Sequence, residues 1–382
     1  MTNTTVLEPD GLRLALEQLA EHGTPPPGTA SVFDVGTTRF IEFFRDEVLE
    51  QMIAPGGATC RFFEGPYGSG KTHLLQLLED QARQKRMALV RIDLSQALSL
   101  EDWRLITAFV LENITVTFDS GTVRGLPHIL ERLGRIPSDK ARDLEVAILP
   151  HPGFKAAMMR ALHPEALSDE AWSRLAEYLT GQKVFAGTLR KLNVFGVKNP
   201  LSARNAEQVL NTVLGGLHYL GLPGAMLLFD ENERTLDVRY ANSRRVQLAA
   251  NLMRRLIDAC FTGGLIGIGA VFAVLPGFLE TCSMVYPALG QRVQVVRGGR
   301  YEPAWRWPVL SIEAVSTVET PEEFLSEAIK ALLDIVQHCQ GDVDGLGAQM
   351  QREGQRVLRA NAGTGYRRAL VKALAATAIE RL

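Results

Sequence analysis

Residues 59–80 pass from an apolar run, "TCRFFE", through "GPYGSGKT" into "HLLQLLED", and this junction constrains the chain more than any other feature. Gly65-Pro66-Tyr67-Gly68-Ser69-Gly70-Lys71-Thr72 satisfies the spacing G-x-x-x-x-G-K-[ST] at every position. Each residue type has a reason. The glycines let backbone N–H groups turn inward around an anion with no Cβ in the way, and the helix that follows aims its positive end at the same point. Lys71 suits the β and γ oxygens of a triphosphate, and the Thr72 hydroxyl suits Mg²⁺. A strand before the turn and a helix after it complete the context. Gly65 through His73 are therefore the expected ATP-binding residues, with ATP and Mg²⁺ as cofactors and Lys71 also catalytic. His73, inside the helix, reads equally as a packed side chain.

A triphosphate site of this kind needs a second strand ending in a carboxylate. Met226–Phe229 are apolar and run into Asp230-Glu231. Asp230 is expected to hold the metal with Thr72, and Glu231 to polarise the attacking water. Neighbouring residues of a strand point to opposite faces, so the two acids suit two tasks. Glu233 is the alternative base, and an ordinary exposed strand end is the plainer alternative for all three.

The remaining pattern gives an α/β chain. Residues 11–22 read as an amphipathic helix broken by "TPPPG"; 87–94, 264–275 and 306–313 are apolar strand candidates, and 243–260 is a helix. Ser99 to Asp102 has the form of a capping box, with Ser99 as the cap. From there to about residue 221 the periodicity is mostly helical. Thr320, Pro321 and Glu323 mark a helix start. Strands alternating with helices imply a parallel sheet covered on both faces. The expected units are residues 1–55 (N-terminal helix and lead-in), 56–313 (a P-loop α/β domain with a helical insertion at about 100–221) and 314–382 (a helical lid).

Lys plus Arg number 41 against 43 Asp plus Glu, so no global field draws the chain to nucleic acid or an anionic membrane. "GLIGIGAVFAVL" is too short to span a bilayer as a helix, and the N-terminus lacks a secretory signal pattern, which makes cytoplasmic the expected location. Cys60, Cys260, Cys282 and Cys339 are scattered, and His151 and His163 have no partners at metal spacing. Arg297, Arg300 and Arg306 interleave with Tyr301, Trp305 and Trp307, the composition of a single-strand platform; a turn packed under the lid explains them as well. Arg244, Arg245, Arg254 and Arg255 recur along one helix, which suits an intersubunit surface or a DNA-facing channel, though an exposed helix face explains them without function.

"GPYGSGKTHLL", "MLLFDENE", the apolar strand ending near "AVLPGF" and "YPALGQRV" (286–293) occur in the order found in the ATP-binding proteins of BREX phage-defence systems, the BrxC/BrxD type. The chain resembles that family from about residue 33 to its C-terminal helices, with about 100–200 unmatched. The resemblance implies an AAA+-like P-loop ATPase, a homo-oligomer or defence complex, DNA within that complex, and no membrane. It implies an arginine finger at Arg292, which reads evenly as a helix-terminal arginine, and a lid arginine at Arg367 beside Arg368. One departure stands out: Ala273-Val274-Leu275 ends the strand where a polar γ-phosphate sensor is expected. Three functions remain open: a defence ATPase, a DNA-bound initiator or helicase loader, and an ATP-dependent scaffold.

Overall fold

The strands that carry the glycine-rich turn and the acidic strand end are apolar along their whole length, so both of their faces must be covered. The computed structural model describes residues 8–94, 98–136, 139–230, 244–293, 304–361 and 365–382. It contains seven strands: β1 (Ala58–Glu64), β2 (Ala88–Asp93), β3 (Thr115–Phe118), β4 (Gly121–Arg124), β5 (Ala225–Asp230), β6 (Ile268–Val274) and β7 (Val309–Ser311). They form one sheet in the order β4-β3-β2-β5-β6-β1-β7. The pairs β2–β5, β5–β6, β6–β1 and β1–β7 are parallel. The β3–β4 hairpin adds an antiparallel edge that the helical reading of the region after residue 100 did not contain.

Register at the carboxyl ends is held by a ladder of aromatic rings. Phe62, Phe272 and Phe229 stand opposite one another on β1, β6 and β5. Their rings stack at 5.1 Å and 4.3 Å, with interplanar angles of 17° and 5°. Such pairs contribute about 0.5–1.5 kcal/mol each beyond area burial. A one-residue slip would turn these rings to the other face, so the ladder also fixes where Glu64 and Asp230 end their strands.

One face of the sheet is covered by the helix Lys71–Gln84, whose Leu74, Leu75, Leu77 and Leu78 pack on Phe63, Leu228 and Val271. Helix Thr38–Phe43 and the π-helical Phe44–Ile53 complete this layer. Trp305 packs here, edge-on to Phe40 at 5.6 Å, and donates from Nε1 to the Ala314 carbonyl at 2.9 Å. The tryptophan is thus a core residue under the lead-in helices, where the sequence reading put it under the C-terminal helices. Arg297, Arg300 and Tyr301 lie outside the described residues.

The other face is covered by the insertion, which ends in helix Ala206–Tyr219, and by helix Arg244–Phe261. Helix Trp103–Asn113 is capped by Asp102, which accepts from Leu105 N–H at 3.1 Å, so the cap falls three residues beyond Ser99. His151 is buried and caps helix Pro152–Ala161 through Nδ1, which accepts from Phe154 N–H at 3.0 Å.

A third core forms away from the sheet. Leu12, Leu16 and Leu19 of the N-terminal helix Pro9–His22 pack with Leu325, Leu332, Leu370 and Leu374 from helices Pro321–His338 and Tyr366–Ile379. The first of these C-terminal helices has the expected capping box at Thr320 and Glu323.

Candidate functional site: a phosphate cradle under a helical bundle

The turn after β1 begins tied to the sheet, with Gly65 N–H donating to the Val274 carbonyl at 3.0 Å. Gly68 and Gly70 have φ of 73° and 102°, a region that side chains with a Cβ rarely enter. A Cβ on Gly70 would meet no atom within 4 Å, so the cradle is open on that side. Lys71 folds back along the turn: Nζ donates to the Gly65 carbonyl at 2.7 Å and to Pro66 at 3.1 Å, and lies 5.5 Å from the Tyr67 ring centroid. Ser69 Oγ is buried with no hydrogen-bond partner among the described residues. An ammonium folded onto two backbone carbonyls beside a buried hydroxyl with no partner among the described residues suits an anion.

Opposite the turn, Asp230 is 3% exposed at the end of β5. Its Oδ2 accepts from the Thr72 hydroxyl at 2.9 Å and from Arg91 Nη2 at 2.7 Å. Thr72 and Asp230, 158 positions apart in the chain, thus share a hydrogen bond. Arg91 also donates to Asp93 at 3.2 Å. The sequence reading missed Arg91, although one base inside the apolar "ALVRID" was its signal.

The C-terminal helices reach the same place. Arg368 N–H donates to the Gly68 carbonyl at 3.2 Å, and Cβ atoms on Gly68 or Gly365 would overlap the other segment's backbone carbonyl. Arg368 also donates from Nε and Nη2 to the His22 carbonyl, at 3.1 and 2.8 Å, and Lys372 donates to Glu21 at 2.7 Å. Two cations therefore close the carbonyl end of the N-terminal helix, where its dipole favours them. Arg367 sits with its guanidinium 5.0 Å over the Phe324 ring.

One cavity joins these parts. It is lined by Tyr67 through Leu74, Asp230, Arg367 and Arg368, and on its apolar side by Leu19, Phe33, Val35, Ile312, Val315, Phe324 and Val371. His73 lines it too, with Nε2 buried and unbonded among the described residues and 4.0 Å from Asp34 Oδ1. Burial lowers the imidazole pKa, with Asp34 opposing and Arg367 reinforcing the shift, so the surroundings disfavour the protonated ring. Gly65 and Pro66 form the back of the turn and hold Lys71.

Arg292 is not among the lining residues. Its Nε donates to Asp258 at 2.8 Å, and Asp258 also pairs with Arg254 at 2.7 Å. Glu231 and Glu233 lie outside the described residues.

A family model described as "BREX system ATP-binding protein BrxC/D" matches residues 15–134 and 146–340. The chain belongs to this family. The match extends through most of the helical insertion, which the sequence resemblance had left uncovered. No curated protein and no solved structure matches the chain. Membership gives this BREX protein ATP binding and a place in a multi-protein phage-defence system. The fold agrees: a seven-stranded sheet flanked by helices, compatible with a P-loop NTPase.

The residues present fit ATP and a divalent cation. The apolar half of the cavity suits a base and ribose, and the open side of Gly70, the Ser69 hydroxyl and Lys71 suit the phosphates. Thr72 and Asp230, already in contact, form a hard-oxygen pair for Mg²⁺. Among the described residues no helix is long and apolar enough to cross a membrane.

Proposed function

We propose that this BREX protein is an AAA+-like ATPase whose nucleotide drives a conformational or assembly switch in the defence complex. Residues 1–55, 56–313 and 314–382 are its working units, the last serving as the lid. The observation that carries the reading is the hydrogen bond from Arg368 N–H to the Gly68 carbonyl, beside Arg367 in the cavity. Any change in the phosphate turn is felt directly by the C-terminal helices, and through the His22 carbonyl by the N-terminal helix.

The chemistry follows from the residues. A divalent cation, which Thr72 and Asp230 would hold, would supply charge compensation for the phosphates. Lys71 would exchange carbonyl partners for phosphate oxygens, and Arg367, which lines the same cavity, would add positive charge beside them. Glu231 orients water for in-line attack. Arg292, once released from Asp258, serves a neighbouring copy's site in a homo-oligomer.

A second reading is favoured by one observation. β6 lies between β1 and β5, and its last residues, Ala273 and Val274, are fully buried with no polar side chain. A site without a polar group at that strand end suits an ATP-held scaffold that hydrolyses slowly. Turnover by purified wild type and Glu231→Gln, with gel filtration in ATP, separates the two. The switch reading expects wild-type hydrolysis, its loss in Glu231→Gln and an ATP-dependent change in size. Normal turnover by Glu231→Gln would overturn the assignment of the base, and no turnover by wild type would favour the scaffold.

A further inference from the structure

Between Glu177 and Glu207 the chain has no acidic residue, while Lys183, Arg190, Lys191, Lys198 and Arg204 all fall within that stretch. In a chain whose basic and acidic totals nearly cancel, this is a concentrated excess of positive charge. The segment is not a loose loop. Val184, Leu189, Val194, Val197 and Leu201 are buried in the core on the insertion's side of the sheet. The Tyr178 hydroxyl donates to the Lys198 carbonyl at 2.8 Å, and Val194 N–H donates to Leu189 at 2.9 Å. An anchor every three to five residues fixes the backbone, and what stands between the anchors faces solvent.

All five cations are exposed, and none has an ion-pair partner among the described residues. Arg135, Arg174 and Arg356, exposed elsewhere, each pair with an acid three or four positions away, whereas Arg104, Arg142, Arg160 and Lys330 are exposed singly with no ion pair among the described residues. What sets 183–204 apart is five such cations in one acid-free stretch. Of the four repeating arginines after β5, Arg245, Arg254 and Arg255 are paired, and Arg244 has no ion pair among the described residues. The same segment exposes two aromatic rings, Phe185 at 66% and Phe195 at 52%, with Lys183 Nζ 5.5 Å from the Phe185 centroid. The Phe185 carbonyl accepts from Leu189 N–H, and the Leu189 carbonyl from Val194 N–H. Those two steps put the backbones of Phe185 and Phe195 within about 16 Å, a span of two or three nucleotides.

The segment also has a definite place. Helix Ala206–Tyr219 runs back for about 21 Å to the start of β5. Its first turn, and Arg204 before it, therefore lie toward the carboxyl edge of the sheet, the edge that carries the phosphate turn and Asp230.

We propose that residues 183–204 form a platform for single-stranded nucleic acid, with the five cations along the phosphates and Phe185 and Phe195 stacked on bases. A duplex would use the cations but leave the rings without base faces. An acidic polypeptide would likewise need only the charges.

The test is fluorescence anisotropy of labelled oligothymidylate, about 20 nucleotides long, titrated with the full chain from about 50 to 200 mM salt. Wild type should bind saturably and more weakly as salt rises. Arg190→Glu with Lys191→Glu should lower affinity at least about 10-fold and flatten the log–log salt slope by about 1.4. Phe185→Ala and Phe195→Ala should each cost on the order of 10-fold with the slope unchanged. A duplex of the same length should bind more weakly and ignore the ring variants. Phe195→Trp should keep its affinity and be quenched on binding. These side chains are exposed and outside the ATP cavity, so melting temperature and ATP affinity serve as controls. No saturable binding at low salt, ring variants equal to wild type, or unquenched tryptophan at saturation would overturn the proposal. So would tight, charge-dependent binding of polyglutamate with none of oligothymidylate, which would make the surface a protein-docking site.

Discussion

Replacing Gly365 by alanine tests whether the C-terminal helices truly grip the phosphate turn. Gly365 has φ of 87° and precedes helix Tyr366–Ile379; an added Cβ would overlap the Tyr67 carbonyl oxygen. Forcing alanine into the left-handed region costs about 1 kcal/mol. Relieving the overlap separates the two backbones and sacrifices the bond from Arg368 N–H to Gly68, a further 1 kcal/mol or so. With some loss of packing, the total is about 2–3 kcal/mol. The fold supplies its own control. Gly345 precedes helix Leu346–Ala360 with φ of 69°, and a Cβ there would meet nothing within 4 Å. Gly345→Ala should therefore lose only the conformational term, about 1 kcal/mol. Urea denaturation of both variants gives the comparison, and a fluorescent ATP analogue reports the site. Gly365→Ala should also bind the analogue several-fold more weakly, while Gly345→Ala should match wild type. Equal destabilisation by the two substitutions, or unchanged nucleotide affinity in Gly365→Ala, would refute the grip.

Two further outcomes follow from buried charge. Asp230→Asn keeps one acceptor for Thr72 or Arg91 but loses the charge-assisted bonds, and should cost about 1–2 kcal/mol in urea unfolding; a more stable variant would mean that desolvation of Asp230 outweighs its pairing. Asp80, on the helix Lys71–Gln84, has its carboxyl pushed up to about 6 by burial, against opposing backbone donors at Gly28 and Ala30 and the charge of Arg83. A folded pKa above the unfolded one means stability present below about pH 4 and lost as pH rises to about 6. Asp80→Asn should therefore gain on wild type across that window, by on the order of 2 kcal/mol, and a flat difference in stability between pH 4 and 7 would contradict it.

What the sequence made legible was local. The turn at Gly65–Thr72 announces itself because its residues act together within one βα unit, and β5 and β6 because strands buried on both faces must be apolar throughout. The Thr320 cap is visible for the same reason. What escaped was set by distant partners. The N-terminal helix packs with Leu370 and Leu374, some 350 positions away, and nothing in its own heptad of leucines names that partner. Arg91 makes sense only once β2 lies beside β5. The β3–β4 hairpin has strands of four residues each at an exposed edge, too short to break the helical pattern around it. Ser99 lost the cap to Asp102 because the helix begins where the backbone turns, and two polar residues three positions apart compete for that place.

At the centre of the proposed function is a triphosphate held by the turn at Gly65–Thr72, with its metal shared between Thr72 and Asp230. Isothermal titration of ATP into wild type, Lys71→Ala and Asp230→Asn, each with Mg²⁺ and then with EDTA, measures this directly. Wild type should bind with a strong dependence on Mg²⁺, Lys71→Ala should lose binding, and Asp230→Asn should lose the Mg²⁺ dependence. Undiminished binding by Lys71→Ala, or equal Mg²⁺ dependence in Asp230→Asn and wild type, would contradict it.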